Sequence, residues 1–121
     1  MNEDIFLSII IPAYNEEHRI ISTLEDINKK LENKNWNYEI LVVNDGSKDK
    51  TAEVVNDLIS KIKGLKLIDN KENNGKGFVV RQGMLAAKGK YRLFMDADNS
   101  VTIDQFDNFL PYFDEGYDIV I

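Results

Sequence analysis

Apolar and polar positions along this chain alternate between two periods. "FLSIII" (6–11) is a short, dense apolar run, the mark of a buried strand. From Glu16 the spacing changes to Ile20, Leu24, Ile27 and Leu31, an apolar stripe at helical intervals. The switch then recurs. "YEILVV" (38–43) is a second strand, followed by a helix with Ala52, Val55, Leu58, Ile59 and Ile62 on one face. "LKLI" (65–68) is a third, followed by a helix over 78–88 that ends near Gly89, and "YRLFM" (91–95) is a fourth. "TIDQ" (102–105) has the Thr-x-x-Gln form of a capping box and opens a helix carrying Phe106, Phe109, Leu110 and Phe113. A last strand, "YDIVI" (117–121), has no turn or covering element after it, so the chain reads as truncated at its C-terminus. Strands alternating with helices predict an α/β fold, a mostly parallel sheet with helices on both faces.

Composition narrows the partners. With 121 residues, 43% of them apolar, the chain has material for one domain with a true core. A net charge of −6 denies it the basic field that nucleic-acid binding uses, so no nucleic acid is expected. The absence of cysteine excludes disulfides and zinc-thiolate sites and agrees with a reducing, cytoplasmic setting. No run reaches the roughly 18 apolar residues of a membrane span, and the acidic start "MNEDIF" is unlike a secretory signal.

In open α/β sheets, ligands bind beyond the carboxyl ends of the strands, where strand order reverses. The four loops that would meet there are "PAYNEE" (12–17), "NDGSKD" (44–49), "DNKENNGKG" (69–77) and "DADNS" (96–100). In the last, Asp96 and Asp98 stand two apart and so point to one side of an extended chain. At roughly 7 Å and an effective dielectric of about 20 they would repel by about 2 kcal/mol. Two acids in a surface turn are common, but this pair ends a strand of "LFM" character, where uncompensated carboxylates are costly. Mg²⁺ or Mn²⁺ would turn that repulsion into affinity and keep positions open for phosphates, with Asn99 shaping the turn and Ser100 adding an oxygen.

The other loops mix structure with chemistry. Gly46 and Ser47 read as turn and cap, with Asp49 an alternative cap, whereas Asp45, at the strand end, is placed to accept hydrogen bonds from a base or sugar. Asn15 reads as a helix cap and Glu16 and Glu17 as first-turn acids. Tyr14 is either a stacking face or a loop-packing aromatic. "NNGKG" is neither a Walker loop, since position 70 is Asn and Lys76 is followed by Gly77, nor a dinucleotide fingerprint, since position 80 is Val. It leaves Lys76 and, a turn later, Arg81 to neutralise a diphosphate. His18, the single histidine, reads as a surface residue without a role.

Taken together and in order over residues 8–100, "SIIIPAYNEE", "ILVVNDGSKDKT", "NNGKGFVVRQGMLAAKG" and "LFMDADNS" resemble the family 2 glycosyltransferases of GT-A fold. Within that family the pattern looks most like the polyprenyl-phosphate (dolichyl-phosphate) β-glucosyltransferases and related mannosyltransferases. The resemblance implies a Rossmann-like nucleotide-sugar-binding domain of which residues 1–121 are the donor half. It further implies a UDP- or GDP-sugar donor, a divalent metal, inversion at the anomeric carbon, and a lipid-phosphate or sugar acceptor at the cytoplasmic face of a membrane.

Carried over by position, Pro12, Ala13, Tyr14 and Glu16 would line the base and ribose pocket, Val43 and Asp45 would contact the base, and Ala97 would join the donor site. Lys76 would lie near the phosphates. Asp96 and Asp98 would form the Asp-x-Asp pair, with Asp98 the principal metal ligand and Ser100 a third. Asn99 stands where many relatives have Gly, and Ser100 where some have an amide. The acceptor-binding half and any acidic base would follow residue 121; a lipid phosphate, already anionic, would need no base. Two alternatives remain: a haloacid-dehalogenase-like phosphatase, whose Asp-x-Asp motif belongs to a first strand whereas three strands precede this one, and a non-catalytic nucleotide-binding fragment.

Overall fold

The computed structural model describes residues 4–97 and 103–108. The expected alternation is present as β1 (Leu7–Ala13), α1 (Ile20–Glu32), β2 (Tyr38–Asp45), α2 (Thr51–Leu58), β3 (Leu65–Asn70), α3 (Lys76–Ala86) and β4 (Tyr91–Phe94), with residues 103–108 helical. All strand pairs are parallel and the order is β3-β2-β1-β4. Strand order therefore reverses between β1 and β4.

The period of two along the strands sorts side chains into two cores. Leu7, Ile9, Ile11, Ile40 and Val42 face α1 and α2, where Leu24, Ile27, Leu31 and Val55 meet them together with Ile103 and Phe106. Ile10, Leu41 and Val43 face the other way, against Val79 and Ala87 of the α3 layer. Helices thus cover both faces, as a parallel sheet requires. Gly83 lets α3 lie close to the sheet, since a Cβ there would stand 2.5 Å from Cγ2 of Ile10. At the amino-terminal end of the strands, Phe6, Trp36, Tyr91 and Phe106 form a cluster of tilted and edge-to-face rings.

Several boundaries differ from the sequence-based expectation, and each difference has a cause. The first three strands run further toward their carboxyl ends, through Ala13, Asp45 and Asn70, because parallel pairing continues to Ala13↔Asn44 and Asp45↔Asn70, whereas β4 stops at Phe94, where its pairing with β1 ends. The third helix is Lys76–Ala86 rather than 78–88. The second stops at Leu58, so Ile59 is exposed, while Ile62 is buried from a turn beyond the helix. The first begins only at Ile20, with no acid in its first turn and Arg19 at the cap position. Asn15 is not its cap: it is left-handed, at φ 54°, and its side-chain oxygen accepts from the Lys48 N–H. Thr102 of the expected capping box, Phe109, Leu110, Phe113 and the strand expected at 117–121 lie outside the described residues.

Candidate functional site

Pro12 stands where the sheet opens. The Met95 N–H donates to the Ile10 carbonyl, so Ile10 presents its backbone polar groups to β4, and Pro12, two residues on, faces the same side. The β1–β4 ladder has already ended at Ile10↔Phe94. The missing proline N–H thus forfeits no ladder bond, and beyond that point the two strands part. The gap is a cavity of about 270 Å³ lined by Pro12, Ala13, Tyr14, Glu16, Asp45, Lys76, Val79, Asp96 and Ala97. It lies at the reversal of strand order, the position at which open α/β sheets bind ligands.

The loops around this cavity are tied to one another by side chains that accept or donate to backbone. The Asn15 N–H donates to Oγ of Ser47 (2.9 Å), the Glu16 N–H to Oγ1 of Thr51 (2.9 Å) and the Glu17 N–H to Asp49 (3.2 Å). In return, the Lys50 N–H donates to the Glu17 carboxylate. Those bonds satisfy the N–H groups of the turn that precedes α1. Glu16 takes a two-pronged contact from Arg19, at 2.8 and 3.0 Å. Ser47 donates to Asn44 rather than capping a helix, whereas Asp49 accepts from the Thr51 N–H at the start of α2. Burial pushes the Asp49 carboxyl up, but the bonds from Thr51 and from the Glu17 N–H outweigh it and hold the group below the usual carboxylate range.

Asp45 is buried at the end of β2, and both of its oxygens are engaged: the Asn74 N–H donates to Oδ1 (2.6 Å) and the Gly75 N–H to Oδ2 (3.1 Å). Its carboxylate therefore fixes the turn before α3 while also lining the cavity. Gly46 beside it has φ +69°, and a Cβ there would stand 2.4 Å from the Glu72 carbonyl carbon. The clamped turn delivers Lys76, the first residue of α3, to the cavity mouth. Its Nζ lies 2.6 Å from Oδ1 of Asp96 and 5.1 Å from the Phe94 ring centroid. On the α1 side, buried Thr23 donates to the Ala97 carbonyl, fixing the turn that carries Asp96.

Of the residues expected from sequence, Pro12, Ala13, Tyr14, Glu16, Asp45, Lys76, Asp96 and Ala97 surround one cavity. Tyr14 is exposed at its rim rather than packed in a loop. Val43 and Arg81 do not line it: Val43 is wholly buried beneath α3, and Arg81 is exposed on the helix's outer side. Asp98 and Ser100 lie outside the described residues. Val79, one turn after Lys76, and Thr23 were not expected. Thr23 had a signal, being the polar member of the stripe Ile20, Leu24, Ile27.

Among the described residues, the cavity mouth offers a divalent cation one carboxylate, that of Asp96. Asp96 is a half-exposed carboxylate, an oxygen ligand of the type Mg²⁺ and Mn²⁺ prefer, and the ammonium of Lys76 already stands against it as a cation. No group of three or more His, Cys, Asp or Glu suited to a metal forms among the described residues. Nor is any described helix long and apolar enough to cross a membrane.

The family model described as glycosyl transferase family 2 matches residues 8–121. A dolichyl-phosphate beta-glucosyltransferase of Dictyostelium discoideum is 41% identical over 111 residues, which cover 86% of this chain and 34% of that protein. One of Drosophila melanogaster is 43% identical over 111 residues, covering 84% of this chain and 33% of that protein. The chain thus spans about a third of the length of these relatives. Among solved structures, S. aureus TarS 1-349 in complex with UDP superposes with a TM-score of 0.71 at 28% identity, covering 88% of this chain and 32% of that one. The mannosyltransferase PcManGT from Pyrobaculum calidifontis shares the fold, with a TM-score of 0.66 at 21% identity over 89% of this chain and 33% of that one.

Proposed function

The chain belongs to glycosyl transferase family 2, and from that premise we propose that residues 1–121 are the donor-binding half of a metal-dependent glycosyltransferase. The donor is a nucleotide-diphosphate hexose, a UDP- or GDP-sugar, and the acceptor a polyprenyl phosphate at the cytoplasmic face of a membrane. The observation that carries this reading is the cavity at the β1/β4 reversal, where three strand ends and the start of α3 bring Pro12, Tyr14, Asp45, Lys76 and Asp96 together. The dolichyl-phosphate beta-glucosyltransferase relatives support the sugar and the acceptor. The UDP complex of TarS makes uridine the first base to test. Membership of this family also removes the phosphatase alternative.

Each residue has a physical task in this reading. Tyr14 offers an exposed ring face to a base, above a floor formed by Pro12 and Ala13. Asp45 holds the loop that presents Lys76, whose ammonium neutralises the diphosphate. Asp96, with Asp98 and Ser100 by their places in the sequence motif, would hold Mg²⁺ or Mn²⁺. Such a metal, when bound, stabilises charge on the departing nucleoside diphosphate. A lipid phosphate is already an anionic nucleophile, so the transfer, with inversion, requires no basic residue from this half.

Calorimetric titration of UDP and GDP, with and without Mn²⁺, into the chain and its Asp98→Asn variant tests the site. Metal-dependent binding of one nucleotide, lost in the variant, is the expected result. Equal metal-dependent binding by both proteins would overturn the assignment of Asp98.

A further inference from the structure

Two charged side chains of the cavity already satisfy each other across its mouth. Lys76 Nζ and Asp96 Oδ1 are 2.6 Å apart, and the ammonium also lies over the Phe94 ring. Both partners are half-exposed, at 60% and 51%, which puts this among the ion pairs that water and salt weaken readily. The two ends differ in rigidity. The backbone before Lys76 is pinned, because the Asn74 and Gly75 N–H groups both donate to Asp45. The lysine stem beyond it has four rotatable bonds, and among the described residues its ammonium is held by the carboxylate and the ring face alone. A fixed root with a mobile, weakly held charge is suited to changing partners.

We propose that Lys76 is a resident counter-cation of Asp96, one that a divalent metal displaces and that a nucleoside diphosphate then receives. The inference rests on the donor-site reading above and adds the coupling of its two ligands. Without nucleotide, metal and ammonium compete for one carboxylate. With a diphosphate present, the ammonium gains phosphate oxygens as partners, and the competition ends. Metal and nucleotide therefore bind cooperatively through this side chain, and linkage makes the effect reciprocal.

The test uses free Mn²⁺ as the probe, followed by its electron paramagnetic resonance signal, and UDP followed by calorimetry. It compares wild type, Lys76→Met, which keeps the apolar stem over Phe94, and Asp96→Asn; Lys76→Gln repeats the charge removal with a polar head. In the absence of nucleotide, Lys76→Met and Lys76→Gln are expected to bind Mn²⁺ about two- to fivefold more tightly than wild type, the range an exposed ion pair accounts for. Asp96→Asn should bind it more weakly. At saturating Mn²⁺ the two lysine variants should bind UDP about tenfold more weakly, having lost a charge-assisted contact. One substitution thus moves the two affinities in opposite directions. Unchanged or weakened Mn²⁺ binding in both lysine variants, with UDP binding intact in wild type, overturns the counter-cation role alone. Failure of wild type and both lysine variants to bind UDP, with the Mn²⁺ difference preserved, overturns the donor reading and the hand-over with it.

Discussion

Asp45 carries two readings that a single substitution separates. From sequence it is an acceptor for a base; in the structure both its oxygens receive backbone N–H groups from the turn before α3. An amide at this position has one accepting oxygen, and its NH₂ would oppose the second N–H. Asp45→Asn should therefore lower the stability of the nucleotide-free protein by about 1–3 kcal/mol, the cost of leaving a buried polar group without its partner. Urea unfolding without ligand measures this, and an unchanged midpoint would show that the clamp contributes nothing. The neighbouring Asp-Gly turn was legible because glycine tolerates φ > 0. That Gly46 also lies against the Glu72 backbone was not, since the approach of a loop 26 positions away leaves no local pattern. Thr23 lies between these cases: a polar residue on an apolar stripe signals a buried partner without naming the Ala97 carbonyl.

Elements were more legible than their ends. Strand existence followed from short, dense apolar runs, which burial on both faces of a parallel sheet imposes, and helix existence from apolar stripes at helical spacing. The start of α1 did not, because the turn before it is held by Ser47, Asp49 and Thr51 of the loop after β2, contacts that leave no local pattern in the sequence. At the opposite end of the sheet, Glu39 joins three elements. Its carboxylate is buried on β2 and accepts from Oγ of Ser8 on β1 (2.6 Å), from the Lys88 N–H after α3 (2.7 Å) and from Nζ of Lys66 on β3 (3.0 Å). Burial alone would raise its pKa, but these bonds outweigh burial and the pKa is lowered. A lowered folded pKa means that the unfolded chain takes up the proton first. The stabilisation is complete above the unfolded value of about 4.3 and disappears as pH falls through the lower folded value. Asp69, whose pKa is lowered by bonds from Asn44 and Lys71, shifts stability in the same direction. Glu39→Gln should cost about 1–3 kcal/mol at pH 7, and the gap from wild type should narrow below pH of about 4. Urea unfolding across that range checks the sign; a gap independent of pH would exclude an ionised Glu39 as its source.

At the scale of the whole molecule, parallel order and helices on both faces were legible because alternating strands and helices leave few right-handed arrangements. A reversal of strand order was expected as a rule of such sheets and lies between β1 and β4. A ligand seated there touches the carboxyl ends of β1 and β2, the turn after β4 and the start of α3, so its binding energy opposes separation of all four. At a hundredfold excess over its Kd, a ligand specific to the folded state adds about 2.7 kcal/mol, which for a domain of this size is a rise in Tm on the order of 10 °C. UDP with Mn²⁺ should give that rise in the 121-residue chain, and UDP alone a much smaller one. Since the chain spans a third of the length of its relatives, we expect the same protein to transfer no sugar to a polyprenyl phosphate, and a polypeptide of the relatives' full length to do so. A differential-scanning trace paired with a radiolabelled-sugar transfer assay on the two lengths decides both points. Stabilisation without transfer assigns residues 1–121 to donor binding, and transfer by the short chain would place acceptor binding and chemistry within these residues as well.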